Sequence, residues 1–229
     1  MRKIQRVAAV GAMAALTIAL GACSSAETPS AEAPASAPAG AEAEATSEPA
    51  APGATTGVTQ ISDIFGPACS QVPTEGEGSA QGMVDDPVAT AASNNPLLTT
   101  LVKAVTAANL GDTLNSAEAI TVFAPADPAF ADLEAKNPGT IQKLTTDPNV
   151  ASPDSQLATI LKYHVVPQRY DAAGLVQAGR VDTLQGGQVT IAGTEAAPTI
   201  NGAQVLCGNI PTENATVFVI GQVLSPPTS

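Results

Sequence analysis

Apolar residues are spread unevenly along the 229-residue chain, and their spacing changes character several times. Residues 7–20, VAAVGAMAALTIAL, form one apolar run. After it the pattern vanishes: AETPSAEAPASAPAGAEAEATSEPAAPGATTG, residues 26–57, holds no Leu, Ile, Val or aromatic residue. A segment with nothing to bury cannot offset the entropy of ordering it, so an extended, disordered linker is expected. Helical spacing begins in NNPLLTTLVKAVTAANLGD, where Asn95 is placed to cap a helix whose first position is Pro96. Leu97, Leu98, Leu101, Val102 and Val105 share a face, and Gly111 marks the stop. Residues 120–124 (ITVFA) read as a short strand, after which Asp127 and Pro128 start another helix with Phe130 and Leu133 facing inward. A further helix opens after Asp154 or Ser155 and aligns Leu157, Ile160, Leu161 and His164.

The C-terminal part changes to a period of two. VDTLQGGQVTIAG and PTINGAQVLCG are β-rich runs that turn at Gly186-Gly187 and Asn201-Gly202, both suited to two-residue hairpins. ATVFVIGQVL is apolar on both faces and predicts a central strand. Helices followed by strands indicate an α+β domain. All six aromatic residues lie at position 65 or later, so a single domain is expected over 60–229.

Arg2, Lys3 and Arg6 precede the apolar run, and Leu20, Gly21 and Ala22 close it. A charged start, a 14-residue apolar centre and a small-residue end form an export signal over 1–22, too short for a membrane span. Cys23 follows directly and resembles the modified residue of a bacterial lipobox, in which the sulfur carries a diacylglycerol that holds the chain at the outer face of the membrane. An ordinary signal peptide that happens to precede a cysteine is the alternative. Residues 23–59 would then be a lipid-anchored linker, with release by proteolysis within it left open. With Cys23 acylated, Cys69 and Cys207 remain as a pair in an exported chain, where disulfides persist; two buried free thiols are the other reading.

Formal charge is −12, and three of the nine basic residues lie in the first six positions. The rest of the chain is more acidic still and has no basic cluster with interleaved aromatics, which argues against nucleic-acid binding. His164 is the single histidine. On an apolar face it reads as a structural residue bonded to backbone or carboxylate, with a pH-sensitive contact as the alternative. No catalytic, cofactor-binding or metal-ligating set stands out, and Asp85-Asp86 reads as a solvated turn before Pro87. Asn214-Ala215-Thr216 matches a glycosylation sequon and is read as turn composition.

TVFAPADPAFADL (121–133), LATILKYHVVPQRY (157–170) and the closing IGQVLSPP are similar, in order, to the motifs of the fasciclin (FAS1) domain family. GMVDDPVATAASNNPLLTTL, FGPAC and VLCGNI further resemble the surface-antigen lipoproteins of that family. The resemblance implies a wedge-shaped β-sandwich with helices along one side and a bridge between Cys69 and Cys207. Its motif residues here are Thr121, Val122, Phe123, Ala124, Pro125, Phe130, Tyr163 and His164. The chain departs from the family at Ala126-Asp127, often Thr-Asn, and at Gly221, often Asp. The implied function is non-enzymatic adhesion, or binding of an extracellular or envelope protein or matrix ligand. Carriage of a lipid or other small molecule in a groove is the alternative, and a hydrolase would need a carboxylate pair in a cleft.

Overall fold

The computed structural model describes residues 57–227. The export signal, Cys23 and the linker up to residue 56 lie outside the described residues. Seven strands form one sheet: β1 (Ile120–Pro125), β2 (Val165–Val166), β3 (Arg180–Asp182), β4 (Gln188–Thr194), β5 (Ala197–Ile200), β6 (Ala203–Pro211) and β7 (Ala215–Ile220). Their spatial order is β2-β1-β7-β6-β5-β4-β3. All neighbours are antiparallel except β1 and β7, which run parallel in unbroken register from Ile120 opposite Ala215 to Pro125 opposite Ile220. Every residue of β1 and β7 is buried, as a run that is apolar on both faces requires. At the far edges the Leu184 amide, just past β3, donates to the Val165 carbonyl of β2 at 2.7 Å. The sheet therefore curls back on itself.

Curling divides the apolar residues into two cores. Alternate positions of the central strands face opposite ways: Val122, Ala124, Val217 and Val219 join the core beneath the helices, while Phe123, Phe218 and Ile220 join the core inside the curl. The helices are α1 (Ala80–Met83), α2 (Val88–Asn94), α3 (Thr99–Ala107), α4 (Gly111–Ser116), α5 (Asp127–Lys136), α6 (Thr140–Thr145), α7 (Gln156–Tyr163) and α8 (Ala172–Ala178). This is the expected α+β architecture, with the sandwich made by a single curled sheet.

The free edge of β6 beyond its short pairing with β5 is covered by the segment that leads into the domain. Phe65 and Gly208 exchange backbone hydrogen bonds, and the Ala68 amide donates to Leu206 at 2.9 Å. Covering an edge in this way removes a template for unwanted strand pairing. Gly208 makes the approach possible, because a Cβ there would stand 2.6 Å from Phe65 Cζ and 2.9 Å from Phe218 Cδ1. The Cys69–Cys207 disulfide, Cα to Cα 4.9 Å, fastens the same segment to β6. Gly57 and Thr59, at the end of the expected linker, are buried in the domain, and Thr216 donates to the Gly57 carbonyl at 2.6 Å.

Local details depart from sequence expectation at three places. Asn109, not Gly111, takes the left-handed conformation after α3, and Gly111 opens α4. Asp127 does not cap its own helix. Its carboxylate accepts from the Thr100 amide at 2.8 Å and the Thr99 hydroxyl at 2.6 Å, so it caps α3 across the fold. Gly186-Gly187 belongs to a five-residue connection closed by Thr183, whereas Asn201-Gly202, both with positive φ, is the expected tight hairpin turn.

Candidate functional site

Helices α2, α3 and α4 do not close fully on the sheet. Between them, over β1 and β2 and beside α7, lies a groove of about 420 Å³. Its walls are aliphatic, from Val88 and Ala92 of α2 through Val102 and Val105 of α3 to Leu114 of α4. Thr90, Ser93, Thr106 and Asp112 are exposed along it, and Leu184 stands 42% exposed among the lining residues. A second cavity, about 240 Å³, lies among α3, α5, α6 and α7 and shares Leu101, Leu161 and His164 with the first. The helical walls are pinned by side-chain amides. Asn115 Oδ1 accepts from the Ala89 amide at 2.9 Å, and Asn214 Oδ1 accepts from Val88 at 2.9 Å. Asn214 Nδ2 donates to the carbonyls of Leu114 and Ala117, each at 2.7 Å. The sequon asparagine is thus a buried peg between α2 and the end of α4.

Tyr163 and His164, adjacent in sequence, serve different cores. The Tyr163 hydroxyl donates to the Gln188 carbonyl at 2.8 Å and accepts from Asn201 Nδ2 at 2.9 Å, tying α7 to β4 and to the β5–β6 turn. His164 is buried, with Nδ1 2.8 Å from the Ile160 carbonyl, and Nε2 accepts from the Leu224 amide at 3.0 Å. That pair of bonds selects the tautomer protonated on Nδ1. Burial depresses its pKa to about 4, outweighing the opposing bond to Ile160, so the ring is neutral near pH 7.

The remaining motif residues build the fold in the same way. Thr121 Oγ1 donates to the Gln168 carbonyl and accepts from the Tyr170 amide, both at 2.8 Å. Phe123 packs tilted against Phe218 with ring centroids 6.2 Å apart. Val122, Ala124 and Phe130 fill the helix-side core, and Pro125 ends β1. Sequence reasoning missed Arg169. Its guanidinium donates to the carbonyls of Thr212, Glu213 and Ala215 and to Thr216 Oγ1, clamping the turn before β7. Partial burial lowers the pKa of Arg169, yet a guanidinium remains charged. Neighbouring Pro167, Gln168 and Tyr170 carried no signal for it, because its acceptors are backbone carbonyls over 40 positions away. Among the described residues, no three His, Cys, Asp or Glu side chains gather as metal ligands.

The geometry defines a stapled α+β head with one continuous curled sheet, a helical cover and an apolar groove. Residues 96–226 match the model of the fasciclin domain family, and the chain belongs to that family. It is 45% identical over 174 residues to the immunogenic protein MPB70 of Mycobacterium bovis, covering 72% of this chain and 83% of the relative. Identity is 42% over 178 residues to the cell surface glycolipoprotein MPB83 of the same species, covering 72% and 74%. Protein sll1483 of Synechocystis is 38% identical over 136 residues, 59% of this chain and 71% of that protein. Among solved structures, a FAS1 domain pair from the insect cell adhesion molecule Fasciclin I matches with a TM-score of 0.55 at 18% identity. That match spans 63% of this chain and 52% of the pair, and it shows the likeness of fold.

Proposed function

We propose that the protein is an exported surface lipoprotein that presents a rigid fasciclin head for adhesion to a protein or matrix ligand, without catalysing a reaction. The observation that carries this reading is the sequence LGAC at 20–23, followed by a coreless stretch and then a stapled domain. The 42% identity to a relative named a cell surface glycolipoprotein supports the location, and the likeness to a cell adhesion molecule supports the fold's suitability. In this reading Cys23 carries the diacylglycerol, residues 23–56 provide reach, and the head supplies the binding surface.

Mass analysis of the membrane-extracted protein from its own host tests the anchor. A mature chain that begins at an acylated Cys23 is expected, and an unmodified Cys23 overturns it. Solid-phase binding of the protein to extracellular matrix and envelope proteins tests adhesion. Saturable binding that substitutions on one face abolish is expected, and absence of saturable binding across the panel refutes the adhesive role.

A further inference from the structure

We propose that the groove between α2, α3, α4 and β1 binds a single long acyl chain with a carboxylate head, the chain lying among Ala92, Val102, Val105 and Leu114 and the head meeting Lys162. This does not depend on the adhesion reading. Three observations carry it, beginning with the space itself. At about 420 Å³ the groove is within the range of sites built for small molecules, and it is an apolar recess with hydroxyls of Thr90, Ser93 and Thr106 along it. Here Asn115 and Asn214 fix α2 and α4 to one another through backbone bonds, so the walls are held where they stand.

The second observation is the character of the walls. Phe123 is the one aromatic residue among those lining the groove, and it is fully buried and packed on Phe218. A planar ring system therefore meets no open aromatic face on which to stack. Aliphatic side chains along the recess suit a flexible saturated chain, which can follow their contour.

Charge supplies the third. Among the residues lining the groove the charged side chains are Lys162 of α7 and Asp112 of α4. Lys162 Nζ donates to the Pro153 carbonyl at 2.7 Å, and an ammonium has three donors, which leaves it able to meet an anionic oxygen as well. Asp112 is exposed on a different element and repels the same head, which places the carboxylate at the α7 end. His164 also lines the groove, but its ring nitrogens are engaged by Ile160 and Leu224, so it contributes apolar surface and no donor to a ligand.

Equilibrium dialysis of the delipidated full chain against radiolabelled palmitate tests the proposal. Saturable uptake of one palmitate per chain is expected. Ala92→Phe, which fills the recess, should weaken uptake by about tenfold or more, and Lys162→Gln should weaken palmitate by about tenfold while leaving hexadecanol unchanged. Asp112→Asn should not weaken either ligand. Absence of saturable palmitate uptake, or unchanged uptake by a folded Ala92→Phe variant, overturns the site. Equal losses of palmitate and hexadecanol in Lys162→Gln overturn the assignment of the head. Should Ala92→Phe fail to fold, spin-labelled stearate added to the unaltered chain decides. Methyl signals of Val102, Val105 and Leu114 should broaden before those of Val189 and Ile200 in the inner core, and indiscriminate or absent broadening refutes the groove.

Discussion

Replacing His164 with Gln tests the link between burial and acid stability. In the folded chain the neutral ring accepts from Leu224 and donates to Ile160, and its pKa is about 4 against an ordinary value of 6.5. Between these values the unfolded chain binds a proton that the folded chain refuses, so stability falls as the pH drops through that window. Above pH 6.5 the contribution is complete. The displacement converts to about 3 kcal/mol lost by pH 4, because each pKa unit corresponds to about 1.4 kcal/mol. Gln at 164 cannot titrate, although it should weaken the fold at neutral pH by about 1–3 kcal/mol through poorer satisfaction of the Leu224 amide and Ile160 carbonyl. Urea denaturation of both proteins at intervals from pH 7.5 to 4, disulfide intact, measures the difference. The stability gap should narrow on acidification and close or invert near pH 4. Parallel pH profiles would refute the argument, since they would mean that His164 gains its proton without opening the structure.

Four further outcomes follow from the geometry. Replacing both Cys69 and Cys207 with Ser removes a cross-link between positions 138 apart, and the chain-entropy relation sets the loss at up to about 5 kcal/mol, read as a fall in the urea midpoint that reductant reproduces in the unaltered protein. Asn214→Ala leaves the Val88 amide and the Leu114 and Ala117 carbonyls without their partner and should cost about 3 kcal/mol, visible in thermal unfolding. Burial alone would raise the Asp127 carboxyl, but bonds from Thr99 and Thr100 hold it below its ordinary 3.8; Asp127→Ala should cost about 1 kcal/mol at neutral pH and flatten the acid limb of stability below about pH 4. Gly208→Ala drives a methyl against Phe65 and Phe218 and should cost about 2 kcal/mol, with earlier proteolysis of the segment around Phe65.

Elements whose cause is local were legible from sequence alone. Ser155 caps α7 through the Ala158 amide, Asn95 caps the turn that leads into α3, and Asn201-Gly202 turns between β5 and β6, each as spacing and residue type require. β7 is central because its alternation is absent, which a single glance at ATVFVI conveys. Where the cause is distant, local signals misled. Asp127 stands at the right place to cap α5, yet the amides it satisfies belong to α3, 27 positions away. Gly111 looks like a helix stop, but Asn109 is already left-handed and ends α3 two residues earlier. A groove was among the expectations, but its lining was not legible, since Val102, Val105 and Leu114 have the same helical spacing whether they meet a core or line a recess.

The motif residues and the binding surface answer to different constraints. Thr121, Phe123, Tyr163 and His164 direct their polar atoms to backbone or to Asn201 and their apolar atoms to the two cores, which leaves them nothing to offer a ligand as hydrogen-bond donor or acceptor. Likeness over these positions therefore transmits the fold and not the specificity. Relatives that keep the motif can bind different things by changing the positions around it. In this chain those positions are the walls and rim of the groove, Ala92 and Lys162 among them, and the outer faces of α2 and α4, which Asn115 and Asn214 hold in place. A comparison of relatives should accordingly find ligand preference tracking residues 92, 102, 105, 114 and 162 while Tyr163 and His164 stay unchanged.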